Sequence, residues 1–200
     1  MKKALMIITV AILIFISTGC FIQEKIELKK QAEAEELAFI KTKEEIIKFD
    51  GEYWKVSEEY EAKQDEYYKD LEKIPDSNLS KNDWVSIKNI EEKNHKWYSD
   101  YIEKFKSLNI PKPLDEFYYK KMEQFNNFIN ASRVYIDRCN IIITNWDNWS
   151  VTLDDRINEL DNKIESYADK GTEQRLEAQK LQREIYREYG LDDLITKWQD

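Results

Sequence analysis

The chain has one histidine, His95. It stands in Glu92-Lys-Asn-His95, and Glu-x-x-His on a helix aims a carboxylate and an imidazole at one point, as carboxylate-bridged metal bundles require. Such a centre takes two of these motifs and two further carboxylates, and a second histidine does not exist here. A Ser-His-Asp hydrolase would have to use His95 alone as its base. The residues support a solvated histidine beside acidic neighbours. Cys139 is a second reactive group, but it falls between Tyr135 and Ile142 on an apolar seam, where a free thiol packs as a small hydrophobe. The acidic runs Glu33 to Glu36, Glu58-Glu59-Tyr60-Glu61 and Asp154-Asp155 lack the turning glycine of a calcium loop. No Gly-rich phosphate loop, Cys-x-x-Cys pair or nucleophile elbow occurs. These counts point away from an enzyme and imply no metal or cofactor.

Binding chemistry is better supplied. The chain has six tryptophans, twelve tyrosines and eight phenylalanines. Trp146 and Trp149 fall near an expected bundle end and Trp198 in the tail, where exposed rings would stack on a glycan or a small apolar molecule. Helical spacing accounts for most of the other rings, because Trp54, Trp84 and Trp97 flank apolar seams.

Those seams define the elements. Phe39, Ile46, Tyr53, Tyr60, Tyr67 and Ile74 recur every seven residues, with Phe49 and Val56 between them, which is a heptad stripe. Gly51 inside it costs about 1 kcal/mol against alanine and marks a possible bend. Pro75 ends the helix, and Ser80-Lys-Asn-Asp83 opens the next with a capping box. Ile87, Glu91, Asn94, Tyr98, Tyr101, Phe105 and Leu108 form the second seam, and Pro113 suits the first position of a third helix. There Leu114, Tyr118, Lys121, Phe125, Phe128, Ser132, Tyr135, Cys139, Ile142 and Trp146 alternate steps of four and three. The register slips after Leu153, and Asn145 to Thr152 has poor helix propensity, so a turn is placed at 148–152, with Thr152-Leu-Asp-Asp155 as its cap. A helix continuing to Asp169 and breaking at Gly171-Thr172 is the alternative. Leu153, Ile157, Leu160, Ile164, Ala178, Leu181, Ile185 and Tyr189 make the fourth seam, with Gly190 as C-cap.

The expected fold is all-α: an up-down antiparallel four-helix, coiled-coil-like bundle at 37–190, with helices at about 37–74, 81–108, 113–148 and 152–189. Residues 20–36 read as a tether or helical stalk, and 191–200 as an acidic tail. Four glycines and three prolines in 200 residues fit long uninterrupted helices.

The first residues address the chain. Lys2 and Lys3 precede an apolar run from Ala4 to Ile16, too short to span a bilayer comfortably and proportioned as a secretory signal peptide. Ser17, Thr18 and Gly19 then lead into Cys20. This run, Ile16-Ser-Thr-Gly-Cys20, resembles the lipobox of bacterial lipoproteins, with Ser17 where that motif usually carries leucine. The resemblance implies removal of a leader at 1–19, a diacylglyceryl group on Cys20, and a mature protein held outside the cytoplasm at the cell membrane, or at the outer membrane of a two-membrane cell. With Cys20 acylated, Cys139 has no disulfide partner.

A net charge of −9 excludes nucleic acid as a partner, since phosphates require a basic surface, and it leaves the acyl group as the membrane link. Heptad seams without attached chemistry point to a non-enzymatic envelope lipoprotein that binds or scaffolds a protein partner, with self-association as a related outcome. A glycan- or small-molecule-binding module using the tryptophan-rich end is the alternative.

Overall fold

The computed structural model describes the backbone of residues 2–196 and the side chains of residue 23 and residues 25–195. Trp198 and the Cys20 side chain lie outside the described residues. The fold is all-helical, with no strand among the described residues: α1 Lys2–Leu71, α2 Lys81–Lys106, a 3-10 turn at Lys112–Leu114, α3 Asp115–Thr144, α4 Val151–Glu188 and α5 Asp192–Thr196. The chain divides into two units, Met1–Glu45 and Ile46–Asp200.

In the first unit the described side chains are largely exposed, Leu37 to 71%. Its bonds are local, such as Gln31 Nε2 donating to Glu35 Oε1 at 3.0 Å and Lys29 pairing with Glu33 at 3.7 Å. Pairs one turn apart support a helix by only a few tenths of a kcal/mol each.

The second unit holds the core. Tyr60 of α1 packs on Trp97 and Tyr101 of α2, while Tyr67, one heptad on, reaches back to Glu91. Tyr101 meets Phe125 of α3, and Phe105 meets Phe117. Arg138 pairs with Asp161, and Lys120 with Glu177, 2.8 Å away. Across α1 and α4, Tyr186 donates to Asp50 at 2.7 Å. In each of the first three pairs the residue numbers run in opposite senses, so these neighbours are antiparallel. The stack of Phe49 on Tyr53, with centroids 5.6 Å apart, and the edge contacts of both with Phe117 bind the end of the unit nearest α5.

The caps explain the element limits. Ser80 and Asp83 form the reciprocal box, Asp83 N–H on Ser80 Oγ at 3.3 Å and Ser80 N–H on Asp83 Oδ2 at 2.7 Å. Pro113 lies in the 3-10 turn instead of opening α3, because the Leu114 N–H closes on the Pro111 carbonyl. The third helix stops at Thr144, earlier than 148: the Asn145 side chain turns back to the Ile141 carbonyl at 2.8 Å and competes with helix continuation. The fourth helix starts after Ser150, not Thr152, with Leu153 and Asp154 N–H groups on the Ser150 carbonyl.

Gly51, read as a bend, and Gly171, the break of the alternative reading, both lie inside helices. Gly51 is exposed within α1, with nothing within 4 Å of where a Cβ would stand. Gly171 is buried in α4, where a Cβ would lie 2.5 Å from Phe128 Cε1. It permits close approach of α4 to α3. Gly190 does end a helix: with φ of 61° it lets the Leu191 N–H reach the Tyr186 carbonyl at 2.8 Å, a Schellman closure. The chain therefore turns back, and the expected acidic tail instead forms α5, whose Ile195, together with the preceding Leu191, joins the core at 7% exposure each.

Candidate functional site

Helical seams carry a few polar residues inward, and their satisfaction separates structure from site. Glu91 is buried and accepts from Tyr67 Oη, from Ser132 Oγ at 3.1 Å and from Asn94 Nδ2 at 3.4 Å. Asp50, 1% exposed, accepts from Tyr186 Oη, which itself accepts from Gln182 Nε2 at 3.0 Å. Buried carboxylates with several donors are structural pins.

Lys121 is different. It follows Tyr118 on the α3 seam and is only 9% exposed, yet no hydrogen bond or ion pair joins it to any described residue. Its ammonium lies 4.9 Å from the Phe125 ring centroid and 6.0 Å from that of Tyr53. Cation–π attraction returns about 2 kcal/mol at best, less than burial of a charge costs. Burial therefore pulls its pKa down from 10.5 to about 7, and the like charge of Arg175 pushes the same way. One helical turn further on, Gln124 is 2% exposed and its Oε1 has no donor. Spacing of i and i+3 puts both on one face.

Both side chains line a cavity of about 420 Å³ in the second unit. Aromatic rings of Tyr53, Tyr101, Phe117, Phe125 and Phe128 form much of the wall. Exposed residues of α1 and α4, among them Glu61, Tyr68, Thr172, Arg175 and Gln179, form its rim, so it opens along the α1–α4 seam. Burial raises the Tyr60 hydroxyl to about 12 and Tyr53 well above its ordinary value, so both stay neutral donors at ordinary pH. The lining is mixed, with polar Ser57, Gln64, Gln124 and Gln182 beside the rings, so it is more polar than the usual small-molecule site of roughly 300–1,000 Å³ while falling within that size range.

The residues singled out in the sequence lie elsewhere. Among the described residues no three His, Cys, Asp or Glu side chains are grouped to hold a metal. Glu92 is exposed and pairs with Lys88, while His95 is half-buried with Nδ1 unbonded. Trp146 is half-buried; Trp149 is 47% exposed with its indole N–H on Asp154 Oδ1 at 2.5 Å, and neither lines the cavity. Cys139 is fully buried and its thiol is pushed up to about 12 by burial. With Cys20→Ser in the full chain, an aromatic disulfide reagent at mildly alkaline pH should modify Cys139 at least about a hundredfold more slowly than in urea-unfolded protein; equal rates would show that the thiol is accessible.

Sequence reasoning passed over Lys121 and Gln124. The available signal was a lysine at a seam position between Tyr118 and Phe125, where an apolar residue is the rule. No protein-family model matches this chain, and no curated protein or solved structure shows significant similarity to it. Among the described residues, no helix is long and apolar enough to cross a membrane.

Proposed function

We propose that this chain is a lipid-anchored envelope protein whose up-down antiparallel four-helix bundle binds a small molecule. A diacylglyceryl group on Cys20 holds it outside the cytoplasm, and the ligand enters between α1 and α4. One observation carries the binding reading: a buried lysine without a counter-ion lines an open cavity whose wall mixes aromatic rings with polar side chains. A core built only for stability has no use for such a group, because an apolar residue of similar volume would be cheaper to bury. Binding is favoured over turnover because the buried titratable groups that share the cavity with Lys121 are tyrosines held neutral at ordinary pH, while its one carboxylate, Glu61, is exposed at the rim and makes no ion pair with Lys121.

The test is recovery of the ligand. Full-length protein extracted from its own membranes should release one small molecule on denaturation, near one per chain by mass spectrometry. Gln179→Trp, which narrows the rim, should release far less. Cys20→Ser should leave the membrane fraction and lose acyl labelling. Failure to recover any molecule, with no added compound raising the melting temperature, would sink the binding reading; membrane retention of Cys20→Ser with its label would sink the anchor.

A second reading, a scaffold for a protein partner or for self-association, draws on Trp149 and Val151, which are 47% and 77% exposed beside the α3–α4 turn. A photo-crosslinker at position 151 in intact cells would trap one dominant partner if this surface is used.

A further inference from the structure

The cavity's chemistry specifies its ligand more narrowly, on the reading that it is a ligand site. Lys121 brings positive charge to the interior, and Arg175 adds a second cation at the rim. Arg175 likewise makes no hydrogen bond or ion pair with a described residue, and Glu61 is exposed rather than held against Lys121. The missing partner is an anion. Because the deep contact is a single ammonium and not an arginine fork, it suits a monoanionic carboxylate better than a phosphate.

Gln124 adds a second requirement. Its unbonded carbonyl oxygen is buried a turn from Lys121, and leaving such an acceptor unpaired costs about 1–3 kcal/mol. An anion accepts and cannot satisfy it. A ligand that does both must carry an N–H or O–H donor close to its carboxylate. The wall is the third constraint: Phe117 and Phe125 are closed off by packing at 1% exposure, so the ring surface open to the cavity comes from the half-buried Phe128, Tyr60 and Tyr98, against which a flat body stacks well.

We propose that the cavity takes a small aromatic carboxylate with a hydrogen-bond donor beside the acid group, Lys121 serving as counter-ion, the Gln124 carbonyl as acceptor and the aromatic wall receiving the ring. Arg175, at the rim, favours entry of the anion by raising its local concentration.

Three probes test this on full-length protein in detergent: anthranilate, which has both acid and donor; methyl anthranilate, which keeps the ring and donor without the charge; and benzoate, which keeps the acid without the donor. Binding is read from energy transfer between the protein's tryptophans and the anthranilates, and from displacement by benzoate, with protein-free micelles as the blank. Anthranilate should bind tightest, benzoate about tenfold weaker, and the ester weaker still. Lys121→Met should weaken anthranilate by on the order of a hundredfold and leave the ester unchanged, since truncating one side of a buried charge pair has that scale of effect. Lys121→Arg should restore much of the loss. Equal affinity for acid and ester, unaltered in Lys121→Met, would overturn the charge assignment while leaving the cavity a ligand site. No binding by any of the three would overturn the ligand class and count against the cavity as a site.

Discussion

Replacing Lys121 by methionine should raise the melting temperature near neutral pH by roughly 5–10 °C, corresponding to about 2–3 kcal/mol for a chain of this size. Most single core substitutions do the opposite. The reason is that the native side chain stands where an apolar one belongs, buried with only ring contacts for its charge. Methionine has nearly the same length, fills the same space and brings no charge to desolvate. The variant should be sturdier and no longer able to hold the anion, a common exchange at binding sites.

The pH profile supplies the sign. The folded-state pKa of Lys121 is depressed to about 7 from 10.5. Between those values the unfolded chain binds a proton that the folded chain does not, so stability rises with pH through that window. Below about 7 both states are charged and the full penalty applies. Other groups that face Lys121 or share its cavity are Tyr53, Tyr60, Glu61 and Tyr68 from α1, Tyr98 and Tyr101 from α2, and Arg175, Arg183 and Tyr186 from α4. The tyrosines act above the window: Tyr53, Tyr60, Tyr98, Tyr101 and Tyr186 are raised, so the folded state retains protons that the unfolded chain gives up, and stability falls above about pH 10. Wild type should therefore be most stable at moderately alkaline pH. Lys121→Met should flatten the rise and keep the fall. Parallel melting profiles for the two proteins would refute this account of Lys121.

Alanine at the two helical glycines should act in opposite directions. Gly51→Ala should stabilise by up to about 1 kcal/mol, because an exposed helix position with open space gains only propensity. Gly171→Ala should destabilise by about 1–2 kcal/mol even though it gains the same propensity. Its Cβ would stand 2.5 Å from Phe128 Cε1 and 2.7 Å from Cδ1, so the ring must move or the helices must part. Overpacking of this kind costs roughly 1–3 kcal/mol. Phe128 also lines the cavity and packs on Tyr98 with centroids 5.9 Å apart. A displaced ring therefore changes the cavity wall, and Gly171→Ala should weaken anthranilate binding as well as lower the melting temperature. Urea titration of the pair decides it: stabilisation by both alanines would show that α4 does not need its glycine for packing.

Helical content, the Ser80–Asp83 cap, the turn before α4 and the Gly190 stop were legible because each depends on residues within one or two turns of one another. The heptad rows located the four long helices for the same reason. What was not legible depended on several elements at once. A seam lysine reads alike whether a carboxylate from another helix meets it, as donors meet Glu91, or nothing does. Only the packed positions of α1, α2 and α4 show that Lys121 lacks a counter-charge and that space remains beside it. Gly171 was open in the same way: locally it offered an alternative break to the turn placed at 148–152, and only the Phe128 ring on α3 shows why a glycine stands inside α4. The 191–195 segment looked like a tail because its apolar residues are few, and its value comes from where Gly190 sends it.

The Asp50–Tyr186 bond joins residues far apart along the chain, whereas the α2–α3 and α3–α4 turns are short. Loop-closure entropy makes the local hairpins the earlier contacts and the α1–α4 closure a late one. The cavity opens along that last-closing seam. Parting of α1 from α4 can then occur as a partial opening that leaves the other pairings intact, with a free-energy cost below that of global unfolding. Exchange of ligand with solvent would follow the rate of this opening, so affinity and residence time become separately adjustable: contacts at Lys121 set the first, and the hold of Tyr186 on Asp50 sets the second.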